Sequence, residues 1–189
     1  MSANAQDRQT DLLVVGVTGR IGAGKTSAAQ YLGSRYGFQY VRYSQILAGW
    51  VGSSEPKKRL QEFGWEVMNG GGQAELNRRL MEQIAPDSDA VVDGLRHPID
   101  YESLSKKFGF SFHLLYIDTA IDVRWARLKE HGRYQTRQDF AAADSHPVEQ
   151  QIEKLRTGAE VVLCNDGSPA ELHSALDTLV RNLRREGAK

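Results

Sequence analysis

The sequence lacks several features that would indicate particular classes of protein. It contains one cysteine, Cys164, in 189 residues, so no internal disulfide can form. This scarcity is typical of proteins from a reducing compartment. Cys164 closes an apolar run, where we expect a packed thiol rather than a nucleophile. No apolar run reaches the length of a membrane-spanning helix, so we expect a cytoplasmic protein without a membrane partner.

An excess of charge of one sign is also missing, because 24 Lys and Arg residues balance 24 Asp and Glu residues. The composition therefore gives no indication of nucleic-acid binding. The five histidines show no close pair at metal-ligand spacing, which with a single cysteine argues against a structural zinc site. Residues 1–11 are polar and lack the apolar core of a signal peptide, so we expect a flexible leader there.

One short segment carries most of the functional information. Residues 19–26, Gly-Arg-Ile-Gly-Ala-Gly-Lys-Thr, match the phosphate-binding pattern G-x-x-x-x-G-K-S/T at every fixed position. An apolar stretch precedes them and a helical pattern follows, which is the context that this motif requires. We expect Lys25 to reach the β- and γ-phosphates of ATP, and the Thr26 hydroxyl to bind Mg²⁺. The cofactor-binding residues predicted here are Gly19, Gly22, Ala23, Gly24, Lys25, Thr26 and Ser27.

Apolar runs of strand length alternate with helical patterns along the chain. The predicted strands are residues 12–17, 38–43, 90–93, 113–118 and 160–164. Strands separated by helices imply parallel pairing with right-handed crossovers. The sequence therefore predicts a single α/β domain over residues 12–186, with three layers and a five-stranded parallel sheet.

Local signals mark the ends of several helices. Thr119 and Asp122 have the spacing of a capping box, which predicts a helix start at this point. Ser168 followed by Pro169 predicts another start, with Ser168 as the N-cap. The glycines at 70–72 indicate a break between a helix over about residues 56–68 and the next one.

Two segments are longer than a simple alternation of one strand and one helix requires. Residues 44–88 carry about three helices, and we expect them to hold the phosphoryl acceptor. Residues 129–147 are polar and rich in Arg and His. They fit a mobile lid that excludes water during transfer, with an ordinary solvated loop as the alternative. Both insertions should lie where the strands of the sheet end.

Asp93 ends an apolar run, so its carboxylate is expected at the end of a buried strand. In P-loop proteins such a carboxylate holds Mg²⁺, directly or through water. It could also act as a general base for a hydroxyl acceptor, and a role in a turn is the structural alternative. Asp118 ends the next apolar run, where we expect mainly a turn or capping role.

Arginines near these segments are candidates for stabilising a transferring phosphoryl group. Arg96 lies three residues after Asp93 and is expected to bind a substrate phosphate. Its structural alternative is an ion pair with Asp100 or Glu102. The candidates in and beside the lid segment are Arg124, Arg127, Arg133 and Arg137. The last two are predicted to be catalytic, whereas the first two fit the surface of a helix equally well.

The chain resembles the nucleoside-monophosphate-kinase-like branch of P-loop kinases over most of residues 12–183. Residues 15–26 resemble the opening of dephospho-coenzyme A kinase. Residues 93–96 and 60–64 are closer to a subset with viral-type deoxynucleoside monophosphate kinases, dephospho-coenzyme A kinase-like proteins and kinases of hydroxymethylated pyrimidine in phage DNA. Residues 165–168 match the turn that contacts the adenine region in such kinases, which implies nucleotide binding by Asn165.

The acceptor side departs from dephospho-coenzyme A kinase. Residues 41–46 lack the acidic residue that this family places there for the acceptor hydroxyl, and residues 97–98 also differ from its pattern. Tyr43 and Ser44 lie where an acceptor would be met, although Ser44 also fits the N-cap of a helix. We therefore expect an ATP- and Mg²⁺-dependent phosphotransferase acting on a (deoxy)nucleoside monophosphate.

Alternative functions remain open from the sequence. One is a kinase of a hydroxyl acceptor, either dephospho-coenzyme A or hydroxymethylated pyrimidine in DNA, and only the latter would involve nucleic acid. Another is a nucleotide-gated binding protein, although residues 165–168 lack the lysine of the guanine-specific Asn-Lys-x-Asp pattern. The sequence leaves the oligomeric state open.

Overall fold

The computed structural model describes residues 12–51 and 57–187, with side chains described outside 57–61. The predicted leader at residues 1–11 lies outside the described residues. The strands in these ranges are β1 (Val14–Thr18), β2 (Gln39–Arg42), β3 (Ala90–Asp93), β4 (Phe112–Asp118) and β5 (Val161–Cys164). The α-helices there are α1 (Lys25–Tyr36), α2 (Tyr43–Val51), α3 (Lys57–Asn69), α4 (Gln73–Met81), α5 (Pro98–Phe108), α6 (Ile121–Glu130), α7 (Arg137–Asp144), α8 (Pro147–Arg156) and α9 (Pro169–Gly187).

The strands form one parallel sheet in the order β2-β3-β1-β4-β5. This confirms the predicted five-stranded parallel sheet. The central strand β1 pairs with β3 so that Val17 lies opposite Asp93. The loop after β1 and the carboxylate at the end of β3 therefore meet at the same edge of the sheet, where ligands bind in folds of this kind.

Alternate residues of β1 face two different helical layers. Val15 and Val17 are fully buried in a core that also contains the inner faces of α1 and α9. Val14 belongs to a second core, which includes side chains of α4, α5 and α8. Gly16 faces this second layer, where a Cβ would come within 2.9 Å of the Phe112 ring. The sheet is thus covered on both sides, and the predicted three-layer architecture is confirmed.

The capping box predicted at Thr119 is wrong. Helix α6 begins at Ile121 with Ala120 as its N-cap, and no side-chain hydrogen bond caps it. The Thr119 hydroxyl is buried and donates instead to the carbonyl oxygen of Ala23, at 3.1 Å. The Thr119 hydroxyl, which the local spacing predicted to cap the helix, therefore makes a tertiary hydrogen bond instead.

Two predictions for the end of β5 and the segment after it had opposite outcomes. Cys164 is exposed rather than packed, because β5 is an edge strand and only Leu163 among its four residues is buried. Ser168 accepts the Glu171 N–H at 3.3 Å, and the Glu171 carboxylate accepts the Ser168 N–H at 2.7 Å. These reciprocal bonds confirm Ser168 as the N-cap of α9.

The two insertions are largely helical. Residues 44–88 carry α2, α3 and α4, as predicted, and Pro56 lies outside the described residues. Residues 129–147 contain α7, a helix that the sequence patterns did not indicate. Thr136 caps α7, and Phe140 anchors it with a side chain that is almost fully buried. No helix in the described ranges is both long and apolar enough to cross a membrane.

Candidate active site

Residues 19–24 join β1 to α1 through a turn with three glycines at positive φ angles, Gly19, Gly22 and Gly24. Gly19 and Gly24 have φ angles of 139° and 100°, in the region that side chains disfavour. A Cβ at Gly24 would also collide with the side-chain amide of Asn165. The turn leaves the first residues of α1, Lys25 and Thr26, lining a cavity. A helix N-terminus in this setting is favourable for an anion.

Lys25 reaches back over the turn that precedes it. Its Nζ atom donates to the carbonyl oxygens of Gly19 and Arg20, at 2.6 and 2.9 Å. Burial lowers the pKa of Lys25 from 10.5 to about 8, with a smaller contribution from the Arg96 guanidinium. The attraction of Glu149 opposes this shift without cancelling it. The ammonium group is therefore short of negative charge, which a bound phosphate would supply.

Asp93 and Thr26 face each other at the edge of the sheet. The buried Asp93 carboxylate accepts the Thr26 hydroxyl at 2.9 Å and the Tyr40 hydroxyl at 2.7 Å, both on Oδ2. The Arg42 Nε atom lies 3.6 Å from the same oxygen. Sequence reasoning missed Tyr40 and Arg42, because their relation to Asp93 depends on the pairing of β2 with β3.

Thr26 and Asp93 are the residues that would hold Mg²⁺ at this site. Thr26 is exposed to the cavity, and Asp93 supplies a carboxylate beside it. Within the described ranges, no three His, Cys, Asp or Glu residues are grouped as a metal site. One hydroxyl and one carboxylate suit Mg²⁺, which in nucleotide sites takes its remaining ligands from phosphate and water. The residues present therefore fit the predicted metal.

The cavity has a volume of about 330 Å³ and extends from the P-loop toward α2, α3 and α4. The cationic side chains that line it in the described part of the chain are Lys25, Arg42, Arg96 and Arg133. Apolar side chains from the helices complete the wall, among them Leu47, Met68, Leu76 and Val148. Such a lining can hold a molecule that has an anionic group and an apolar body.

Arg96 lines the cavity, and the structural alternative of an ion pair with Asp100 or Glu102 is wrong, whereas its binding of a substrate phosphate stays a prediction. Its guanidinium faces Glu149 on α8, with 3.7 Å between Nη1 and Oε1. Asp100 instead accepts the main-chain N–H of Arg96 at 2.9 Å. The second oxygen of Glu149 accepts the Ile21 N–H of the P-loop at 2.8 Å. Glu149, which is 1% exposed, thus connects the P-loop to Arg96.

Sequence reasoning missed Glu149 because it missed α8. The available signal was His146 before Pro147, a cap followed by proline at the first helical position, with Ile152 and Leu155 on one apolar face. The polarity of the preceding segment concealed it. A buried acid in the first turn of such a helix could have been singled out only once its position behind the P-loop was known.

Arg124 supports the P-loop from behind rather than contacting the cavity. It is buried and donates to the Ile21 carbonyl oxygen at 3.1 Å and to Asp144 at 2.6 Å. Arg20 of the loop reaches the same carboxylate, with 3.2 Å between Nε and Oδ1. Arg127 donates to the carbonyl oxygen of Asn165 at 2.8 Å. Both arginines therefore position main-chain segments around the nucleotide side.

The structure brings one of the two predicted lid arginines to the site. Arg133 lines the cavity, and its charge contributes to lowering the pKa of Lys25. Arg137 does not line the cavity, because its guanidinium donates to Asp122 at 2.5 Å on the exposed side of the segment. Its catalytic role stays a prediction, as does closure of the segment.

The remaining predicted residues occupy distinct positions. Asn165 is buried, and its amide donates to the Ala23 carbonyl oxygen at 2.8 Å, so contact with a nucleotide base stays a prediction. Ser27 is exposed near the start of α1. Tyr43 and Ser44 both line the cavity. Because α2 begins at Tyr43, Ser44 is not its N-cap.

Comparison with known proteins agrees with this geometry. The AAA_17 family, described as an AAA domain, matches residues 18–146, which is more than half of the chain. The chain belongs to this family. Dephospho-CoA kinase of Borrelia garinii subsp. bavariensis is 26% identical over 98 residues. These residues make up 50% of this chain and 46% of that protein, so the chain spans under half of this relative's length.

Solved structures share the whole fold at low sequence identity. Shikimate kinase from Acinetobacter baumannii, solved with shikimate, has a TM-score of 0.62 at 13% identity, covering 97% of this chain and 99% of its own. A gluconokinase from Sinorhizobium meliloti 1021 scores 0.58 at 14% identity, covering 94% and 98%. TT1252 from Thermus thermophilus scores 0.58 at 20% identity, covering 91% and 98%. The chain therefore has the P-loop kinase fold.

Proposed function

We propose that this protein moves the γ-phosphoryl group of ATP·Mg²⁺ to a small acceptor, and that the acceptor is a (deoxy)nucleoside monophosphate. The observation that carries the proposal is the shared cavity, in which a phosphate-binding loop and three arginines face one space. Phosphoryl transfer depends mainly on positioning and on neutralising charge, and these residues are suited to both. The kinase names of its relatives support the reaction class.

The charged and hydroxyl-bearing residues that follow have distinct roles in this proposal. The phosphates of ATP would lie on residues 19–26, with Lys25 turning from main-chain carbonyls to phosphate oxygens. Thr26 and Asp93 would hold Mg²⁺, which when bound neutralises charge on the phosphates. Arg96 and Arg133 would donate to the transferring group, where negative charge is spread over the equatorial oxygens.

Two features of the cavity favour a phosphate acceptor over a hydroxyl acceptor. Asp93 Oδ2 already accepts hydroxyl groups from Thr26 and Tyr40, so a substrate hydroxyl seeking a base there would compete with two protein donors. Arg42 lines the cavity, and its buried Nε atom, 3.6 Å from Asp93 Oδ2, makes no hydrogen bond among the described residues. The phosphate of a nucleoside monophosphate offers acceptor oxygens for such a donor.

A hydroxyl acceptor is the second candidate, favoured by the name of the Borrelia relative. In that case dephospho-coenzyme A would be the acceptor, and Asp93 the general base within reach of its hydroxyl. Hydroxymethylated pyrimidine in DNA belongs to the same chemical class. A nucleotide-gated binding protein would use the same P-loop without an acceptor.

ADP release from ATP, measured across a panel of acceptors, tests the proposal. The panel contains ribo- and deoxyribonucleoside monophosphates, dephospho-coenzyme A and DNA with hydroxymethylated pyrimidines. We expect turnover with at least one monophosphate to exceed turnover with dephospho-coenzyme A by about tenfold or more. The reverse order selects the hydroxyl kinase. ADP release that depends on no acceptor contradicts both kinases, and tight ATP or GTP binding with slow turnover indicates the gated binding protein.

A further inference from the structure

A buried polar network lies on the acceptor side of the cavity, between α4 and α5. Asp100 of α5 is 1% exposed, and its Oδ2 accepts the main-chain N–H groups of Arg96 and His97, both at 2.9 Å. Its Oδ1 accepts the side-chain amides of Gln73 and Asn77. Within the described chain, four donors therefore converge on one carboxylate.

This convergence fixes the orientation of both amides. Burial raises the pKa of Asp100, whereas the four N–H groups that it accepts favour its ionised form. The ionised carboxylate accepts hydrogen bonds but cannot donate, so each amide turns its nitrogen toward Asp100. Asn77 then has its oxygen free for the Tyr43 hydroxyl, which donates to it. Gln73 has its Oε1 atom left, and this atom is buried with no hydrogen-bond partner among the described residues. Gln73 is 3% exposed and lines the cavity.

A buried carbonyl oxygen without a donor is unfavourable unless a ligand supplies one. Leu47, Met68 and Leu76 line the same cavity, which suits the faces of a flat ring. We propose that Gln73 Oε1 accepts a hydrogen bond from an N–H group on the edge of the acceptor's nucleobase, and that Asp100 positions Gln73 for this contact. The inference rests on the proposed function, because it names what the acceptor must present to this wall.

The contact has a defined consequence for specificity. An acceptor whose base lacks the N–H group leaves Oε1 buried and unpaired, and sites built around a hydrogen bond discriminate strongly against such analogues. The bond forms when the acceptor binds and remains during transfer. Its loss should therefore appear chiefly in the KM of the acceptor, while the KM of ATP stays unchanged.

Steady-state kinetics with matched pairs of acceptors test this inference. Each active adenine, cytosine or thymine monophosphate is compared with an analogue that lacks the donor: purine for adenine, a 4-hydrogen base for cytosine, and a ring-N-methyl base for thymine. We expect wild type to prefer at least one parent base by about tenfold or more in kcat/KM. Equal use of parent and analogue in every pair would overturn the inference.

Two variants separate the contact from general effects on the fold. Gln73→Met keeps the length of the side chain without its oxygen, and should reduce the preference for the parent base to about one, with the KM of ATP unchanged. Asp100→Asn lets Gln73 rotate, because an amide can donate as well as accept, and should also abolish or invert the preference. Gln83→Met, on an exposed glutamine in the same insertion, is the matched control and should keep it.

The failure of the inference differs from the failure of the proposed function. A wild-type preference that survives both Gln73→Met and Asp100→Asn overturns the inference while leaving the kinase intact. Absence of acceptor-dependent ADP release with every monophosphate overturns the proposed function. Calorimetric titration of the same parents and analogues then tests Gln73 by affinity alone, and equal affinities, or no binding of any parent base, overturn its role.

Discussion

The two sides of the cavity are built from different kinds of contact. On the nucleotide side, Lys25, Asn165 and Arg124 all donate to main-chain carbonyl oxygens of the P-loop. On the acceptor side, Gln73 and Asp100 meet side chain to side chain, although 27 residues separate them in the chain. Contacts to the main chain preserve a loop shape that would suit any triphosphate. Contacts between side chains can select one acceptor.

The largest expected effect belongs to the nucleotide side. Lys25→Ala removes the ammonium group that would follow charge onto the transferring phosphoryl, and we expect kcat to fall by about 10³-fold with every acceptor. The fold should survive, because burial of this ammonium is unfavourable, as its lowered pKa indicates. ADP release measures kcat, and thermal melting measures the stability of the fold. Lys129→Ala, on an exposed lysine of α6, is the control. Activity of Lys25→Ala equal to that of the control would refute the P-loop assignment.

Asp93 comes next, and the chain offers a matched control. Asp93→Asn keeps the shape of the side chain but removes the charge beside Thr26, so the Mg²⁺ concentration for half-maximal turnover should rise about 10- to 100-fold. Asp118→Asn changes the residue that ends β4, on the other side of β1, where the carboxylate pairs with Arg156 at the surface. This control should leave the magnesium titration unchanged. An unchanged titration in Asp93→Asn as well would remove its metal role.

Sequence patterns predicted the strands and the helix that carry the nucleotide side, because their determinants are local. A strand, a glycine turn and a helix follow one another within residues 14–36, and the buried β3 ends in Asp93 as its pattern indicated. The exposed Cys164 shows the limit of the same reasoning. A run of apolar residues does not reveal that its strand lies at the edge of the sheet.

The acceptor side could not be predicted in the same way. Gln73 and Glu149 are ordinary polar residues in their local sequence, and each becomes notable only through a partner far along the chain. Arg137 illustrates the converse. Its segment suggested catalysis, yet its side chain pairs with Asp122 instead of facing the cavity. The direction in which a side chain points and the residue that it contacts depend on tertiary packing. Short sequence patterns carry no information about that packing.

The pH dependence of ligand binding should differ between the two sides of the cavity. Only the affinity for ATP, on the nucleotide side, should change, by about tenfold per pH unit above pH 8. Burial lowers the pKa of Lys25 to about 8 in the free protein, and a bound triphosphate should raise it again. Binding therefore takes up a proton above pH 8, and the affinity for ATP should fall by about tenfold per pH unit from there. Affinity is highest below pH 8, where Lys25 is already charged.

Calorimetry of ATP binding at pH 7 and pH 9, in buffers of different ionisation enthalpy, measures the affinity and the proton uptake together. Lys25→Ala should lose the dependence, and the preference for parent bases at Gln73 should stay the same across this range. Equal ATP affinity at both pH values would show that Lys25 keeps its ordinary pKa in the free protein.

The smallest expected effect concerns the arginines of residues 129–147. Arg133 lines the cavity, so Arg133→Ala should lower kcat about tenfold with little change in stability. Arg137→Ala removes an exposed ion pair with Asp122, and such pairs contribute about 0–1 kcal/mol, so we expect a change in kcat below about threefold. Initial rates at saturating ATP and acceptor give the kcat of both variants. A loss in Arg137→Ala as large as that in Arg133→Ala would mean that the segment closes during transfer and delivers both arginines to the phosphoryl group.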